Sequence, residues 1–83
     1  MIRPAEIESR IQGALPGAEV RIVDLTGGGD HFRVRVVAPQ FEGRGAVDRH
    51  RMVYACVRDV LGGELHALSL ETLSPAERGA TGG

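Results

Sequence analysis

Cysteine is nearly missing from this 83-residue chain, and tryptophan and lysine are missing altogether. Each gap excludes something. The single thiol, Cys56, rules out an internal disulfide and any metal site built from cysteine alone. With no tryptophan, two phenylalanines and one tyrosine, the core has to be aliphatic. The chain also lacks a surplus of positive charge: its net charge is −1, so the whole-domain basic footprint of a nucleic-acid binder is absent. Every basic residue is arginine, which makes better bidentate contacts with anions than lysine does. No apolar run approaches the roughly 18 residues needed to span a membrane, and the charges scattered from Met1 to Gly13 do not make a signal peptide. A cytoplasmic protein with no membrane partner is expected. The length allows one domain with a modest core, expected over residues 1–78 with a disordered tail over 79–83.

What is present has a clear periodicity. Pro4 to Leu15 reads as a helix, with Ile7, Ile11 and Ala14 or Leu15 on one face and Pro16-Gly17 as its stop. Glu19 to Leu25 reads as a strand. Thr26 to Asp30, with three consecutive glycines, reads as a flexible hairpin loop. His31 to Ala38 is the clearest strand, because Phe32, Val34 and Val36 alternate with His31, Arg33 and Arg35. Pro39 to Ala46 is a connection. A second helix is predicted from Val47 to Leu61, with the stripe Val47, His50, Tyr54, Val57 and Leu61 and Gly62-Gly63 as its stop. Leu65 to Leu73 is predicted as a third strand, with His66, Leu68 and Leu70 on one face. Ser74-Pro75-Ala76-Glu77 has the form of a capping box opening a short last helix. The expected fold is α+β: a small mixed three-stranded sheet with helices packed on one face, the third strand reached by a crossover. The other face stays open, and Arg21, Arg33 and Arg35 can converge there.

No nucleophile–base arrangement, phosphate loop or zinc spacing is visible, so an enzyme is not expected. The chemical candidates are few. Imidazole titrates near neutrality and ligates borderline metals. His66 is therefore either a hydrogen-bonded strand-start residue or a ligand, and His31, after the glycine loop, is either an exposed polar residue or a second ligand. His50 reads as a helix-packing residue or a partner contact. Cys56 reads as a small buried hydrophobe. Arg44, Arg49, Arg51 and Arg58 form either a solvated helix face or an anion-binding surface.

Several landmarks stand in order along the chain: His31-Phe32-Arg33-Val34, Phe41-Glu42-Gly43, Arg49-His50-Arg51-Met52-Val53-Tyr54, Leu65-His66-Ala67-Leu68 and Thr72-Leu73-Ser74-Pro75. Through them the chain resembles the BolA family over nearly its whole length. That family has a helix–strand–strand–helix–strand (αββαβ) fold like the type II KH domain, in agreement with the order read from periodicity. The Gly-x-x-Gly clamp of nucleic-acid-binding KH domains is replaced here by Gly43-Arg44-Gly45-Ala46. The resemblance implies a monothiol glutaredoxin as partner and a bridging 2Fe–2S cluster shared with it and with glutathione, in iron–sulfur assembly, trafficking or iron sensing. The protein alone is then cofactor-free, as a monomer or weak homodimer. The resemblance also implies His66 as the metal ligand, with a second ligand from the loop between the first two strands. Gly28 stands where some members have cysteine, which leaves His31 as the substitute. The alternative that the resemblance implies is a transcriptional regulator whose second-helix region, with Arg44, Arg49, His50, Arg51 and Arg58, meets a partner or DNA.

Overall fold

The computed structural model describes residues 2–63 and 65–81, the side chains of residues 79–81 excepted. Helix α1 spans Pro4–Ala14, with proline in its first turn where the missing N–H costs nothing. It buries Ile7 and Ile11, and Leu15 follows them into the core while Ala14 stays exposed. Strand β1 covers Glu19–Asp24 and β2 covers His31–Val37. A 3₁₀ turn at Pro39–Phe41 leads to helix α2, Ala46–Val57. Strand β3 covers Ala67–Leu73, and helix α3 covers Pro75–Thr81. The tail expected from Gly79 is thus helical as far as Thr81, and Gly82 and Gly83 lie outside the described residues.

The three strands lie in the order β1-β2-β3. β1 runs antiparallel to β2, with Arg21 opposite Arg35. β3 runs parallel to β2, with His31 beside Ala67 and Val37 beside Leu73. This is the mixed sheet expected. The alternation along β2 sends Phe32, Val34 and Val36, all fully buried, onto the helices. There they meet Ile7 and Ile11 of α1 and Val53 and Val57 of α2 in one cluster, which Ile2, Phe41, Val60 and Leu65 complete. Full burial of each such side chain contributes about 1.5–3 kcal/mol.

The face of α2 differs from the predicted stripe. Its buried residues are Arg49, Val53 and Val57, whereas Val47 is 64% and Leu61 40% exposed. The helix stops at Val57 rather than Leu61. The chain then tightens, with the amides of Val60 and Leu61 both donating to the Val57 carbonyl, and reverses at Gly62, whose φ of +91° favours glycine. Arg49, expected at a partner-facing surface, is instead an internal strut. Its Nε donates to the Arg44 carbonyl at 2.7 Å, and its Nη1 donates to the Thr72 carbonyl at 3.3 Å and to Glu77 Oε1 at 2.5 Å. Its guanidinium carbon stands 5.8 Å from the centre of the Phe41 ring. Glu77 in turn accepts from the Ser74 amide at 2.7 Å, and Ser74 Oγ accepts from the Glu77 amide at 3.3 Å. The predicted capping box is therefore formed, and it is joined to α2 through Arg49.

Candidate functional site

The loop between β1 and β2 is tied down, contrary to the flexible hairpin expected from its glycines. Asp24 does this. Its Oδ1 accepts from the amides of Thr26 at 3.2 Å and Gly27 at 2.9 Å, and its Oδ2 accepts from the Gly29 amide at 2.9 Å. Gly27 and Gly29 have φ near +75° (78° and 74°), conformations that a side chain would strain. Thr26 Oγ1 accepts from the Gly28 amide at 3.1 Å and donates to Asp30 Oδ1 at 3.0 Å. One aspartate thus winds the loop, and the loop presents a second.

Asp30 joins the starts of two strands. Its carbonyl accepts from the amides of both His66 and Ala67, at 2.9 and 3.1 Å, and so fixes the chain entering β3 against the chain entering β2. His66 is not in the strand as expected. It stands between Leu65, which is fully buried, and the first strand residue, Ala67, and its side chain is 59% exposed. The His31 and His66 rings come within 6.0 Å, centre to centre, at 75° to one another. Both turn Nδ1 toward the Asp30 carboxylate. His31 Nδ1 lies 3.1 Å from Oδ1, close enough to pair when the ring is protonated, and His66 Nδ1 lies 3.8 Å from Oδ2. This arrangement holds the Asp30 carboxyl below the usual carboxylate range, first through His31, then through the Thr26 hydroxyl, with a smaller pull from His66.

In each ring Nδ1 is the nitrogen nearer the Asp30 carboxylate, and Nε2 is the other position at which an imidazole can bind a metal. Ligating histidines are commonly oriented in this way, the second nitrogen bonded to a carboxylate that fixes the ring and raises its basicity. An imidazole centre lies roughly 3.2 Å from a metal bound at about 2.1 Å. Two rings 6.0 Å apart therefore have to close by about 1 Å to share an ion tetrahedrally. The donor set is soft enough for iron, since a 2Fe–2S iron accepts two imidazoles in Rieske centres. It is also incomplete: among the described residues no group of three or more His, Cys, Asp or Glu is arranged to hold a metal ion. The two imidazoles can supply only part of a metal's donor set.

A family model, BolA-like protein, matches residues 10–77. The chain belongs to the BolA family. The human BolA-like protein 1 is 35% identical over 80 residues, covering 88% of this chain and 58% of the human protein. This BolA-family chain thus spans little more than half the length of that relative. Protein BOLA2 of Arabidopsis thaliana is 36% identical over 72 residues, covering 86% of this chain and 76% of the plant protein. A crystal structure of a Bol-like protein from Babesia bovis superposes with a TM-score of 0.87 at 28% identity, covering all of this chain and 96% of that one.

The remaining candidates of this BolA-family chain fall into place individually. Arg44, Arg51 and Arg58 are exposed and His50 is half-buried. Cys56 is half-buried; its thiol donates to the Met52 carbonyl at 3.4 Å, and burial pushes its pKa up, which keeps it protonated and a poor ligand. No helix among the described residues is long and apolar enough to cross a membrane. Two functional residues were missed in the sequence, Asp24 and Asp30. Their signal was available: an aspartate on each side of Leu25-Thr26-Gly27-Gly28-Gly29 is the composition of a side-chain-wound turn.

Proposed function

We propose that this BolA-family protein is a non-enzymatic adaptor that binds a monothiol glutaredoxin and contributes imidazole to a bridging 2Fe–2S cluster. His66 is the principal ligand and His31 the second. The observation that supports this reading is the pairing of the exposed His66 ring and the half-buried His31 ring on Asp30, 6.0 Å apart. The missing donors come from the partner: a cysteine, and the thiolate of glutathione. Because imidazole binds iron only as the neutral base, protons compete with the metal for it, and the shared cluster is released as pH falls. In this role the protein belongs to iron–sulfur assembly, trafficking or iron sensing.

The test is anaerobic co-purification with a monothiol glutaredoxin and glutathione, followed by visible absorption. The wild type is expected to give a coloured heterodimer whose spectrum changes in His66→Ala and, to a smaller degree, in His31→Ala. A colourless mixture with the wild type, or a spectrum indifferent to both substitutions, refutes the reading. The alternative role, transcriptional regulation through DNA, depends on Arg44, Arg51 and Arg58 now that Arg49 is internal. It requires a duplex-DNA shift that falls steeply with salt and is lost in Arg51→Ala.

A further inference from the structure

The open face of the sheet carries a second polar site, at the end away from the histidines. Glu19, Arg21, Arg35, Val37 and Arg78 line a cavity of about 250 Å³. Arg21 and Arg35 are register partners on adjacent antiparallel strands. Their β-carbons are therefore about 5 Å apart, where like charges destabilise a sheet. Neighbouring acids offset this only in part. Arg35 Nε is 3.5 Å from Glu71 Oε1, is shielded from solvent and makes no hydrogen bond, while Glu19 pairs with Arg78. Arg21 has no ion-pair partner among the described residues. Val37, 5% exposed, supplies an apolar wall that strengthens any charge interaction beside it.

We propose that this cavity binds a compact, multiply charged oxyanion, a phosphate or polycarboxylate group held between the guanidinium forks of Arg21 and Arg35. Each fork pairs two N–H donors with two oxygens, so an anion with oxygens on two sides satisfies both and removes their mutual repulsion. Glu19 acts against the ligand as a competing carboxylate. The site lies about 13 Å along β2 from His31, four residues at roughly 3.3 Å each. It is therefore separate from the imidazole pair and does not depend on the cluster reading.

The test is a titration of the ¹⁵N-labelled protein followed by NMR, with inorganic pyrophosphate in one arm and citrate in the other. Saturable amide shifts at Arg21, Arg35, Val37 and Arg78 are expected, at concentrations at least tenfold higher in Arg21→Gln and several-fold lower in Glu19→Gln. Arg21→Lys keeps the charge but loses the fork, and is expected to bind several-fold more weakly than the wild type. A response to pyrophosphate alone assigns a phosphate ligand, and a response to citrate alone a carboxylate one. Linear, unsaturable shifts spread equally over Arg51 and Arg58, or the same affinity in wild type and Arg21→Gln, would overturn the proposal.

Discussion

The two ends of the sheet use similar charged residues for different purposes. Where β2 and β3 finish, Arg49, Glu77 and Ser74 bond to one another and to the carbonyls of Arg44 and Thr72. The guanidinium is buried and its bonds are made inside the fold. Where the same two strands begin, Asp24 and Asp30 also tie backbone to backbone, yet the arrangement ends in one exposed ring, His66, and one half-buried ring, His31. A polar network closed on itself specifies structure. The other leaves its two imidazoles paired only loosely with one carboxylate, which is the freedom that the proposed ligand role requires.

That contrast can be broken from either end. The largest effect belongs to Arg49→Met. It removes the guanidinium donor from the carbonyls of Arg44 and Thr72 and leaves Glu77 only its bond from the Ser74 amide, and a loss of roughly 3 kcal/mol is expected. For a domain of this size that lowers Tm by on the order of 10–20 °C, which calorimetry would read. The same end sets the acid limb of stability. Glu77 is pulled down to about 2 from 4.5, first by its bond from Arg49, then by the Ser74 amide. Its folded pKa lies below its unfolded one, so the stabilisation is complete above about pH 4.5 and is lost as pH falls toward 2. Urea midpoints from pH 7 to pH 2 should show the wild type losing stability across that window, with Glu77→Gln weaker at pH 7 and converging with the wild type at the acid end. A wild type and a Glu77→Gln that run parallel would separate the carboxylate from the latch.

At the other end, Asp24→Ala unwinds the loop. A stability loss of about 1 kcal/mol is expected, together with broadened His31 and His66 ring signals in NMR, because the segment that holds Asp30 is freed. Unchanged ring signals would mean that Asp24 does not position the pair. Gly28→Cys sharpens the comparison further. A β-carbon there meets Asp30 Oδ1 at 3.3 Å and Thr26 Oγ1 at 3.4 Å, side-chain ends that can yield a few tenths of an ångström. The variant should fold, with Tm within a few degrees of the wild type, and should hold the shared cluster longer against a chelator, since thiolate replaces a weaker donor. Faster loss than the wild type would show that the loop cannot bring a ligand at position 28 to the iron.

The element order was readable because it rests on short-range pattern: the alternation along β2, proline at the start of α1, and a capping box at Ser74–Glu77 whose two reciprocal bonds are formed. The face of α2 was not. An arginine scores as surface, and the partners that make Arg49 internal lie 23 and 28 residues further along the chain. The imidazole pair was half readable. Both rings were candidates, but their meeting depends on the parallel register that sets His31 beside Ala67, and on one carbonyl, that of Asp30, which no spacing announces.

The central claim is that a ring nitrogen of the exposed His66 reaches iron held by another polypeptide. Pulsed EPR on the reduced 2Fe–2S complex with glutaredoxin, using this chain labelled with ¹⁵N-histidine, tests it most directly. The account predicts a strong ¹⁵N coupling that is reduced in His66→Ala and abolished when His31→Ala is added, while the stability of the free His66→Ala variant stays within the change of about 0.5 kcal/mol usual for a surface substitution. A cluster spectrum with no histidine nitrogen coupling from this chain would contradict it.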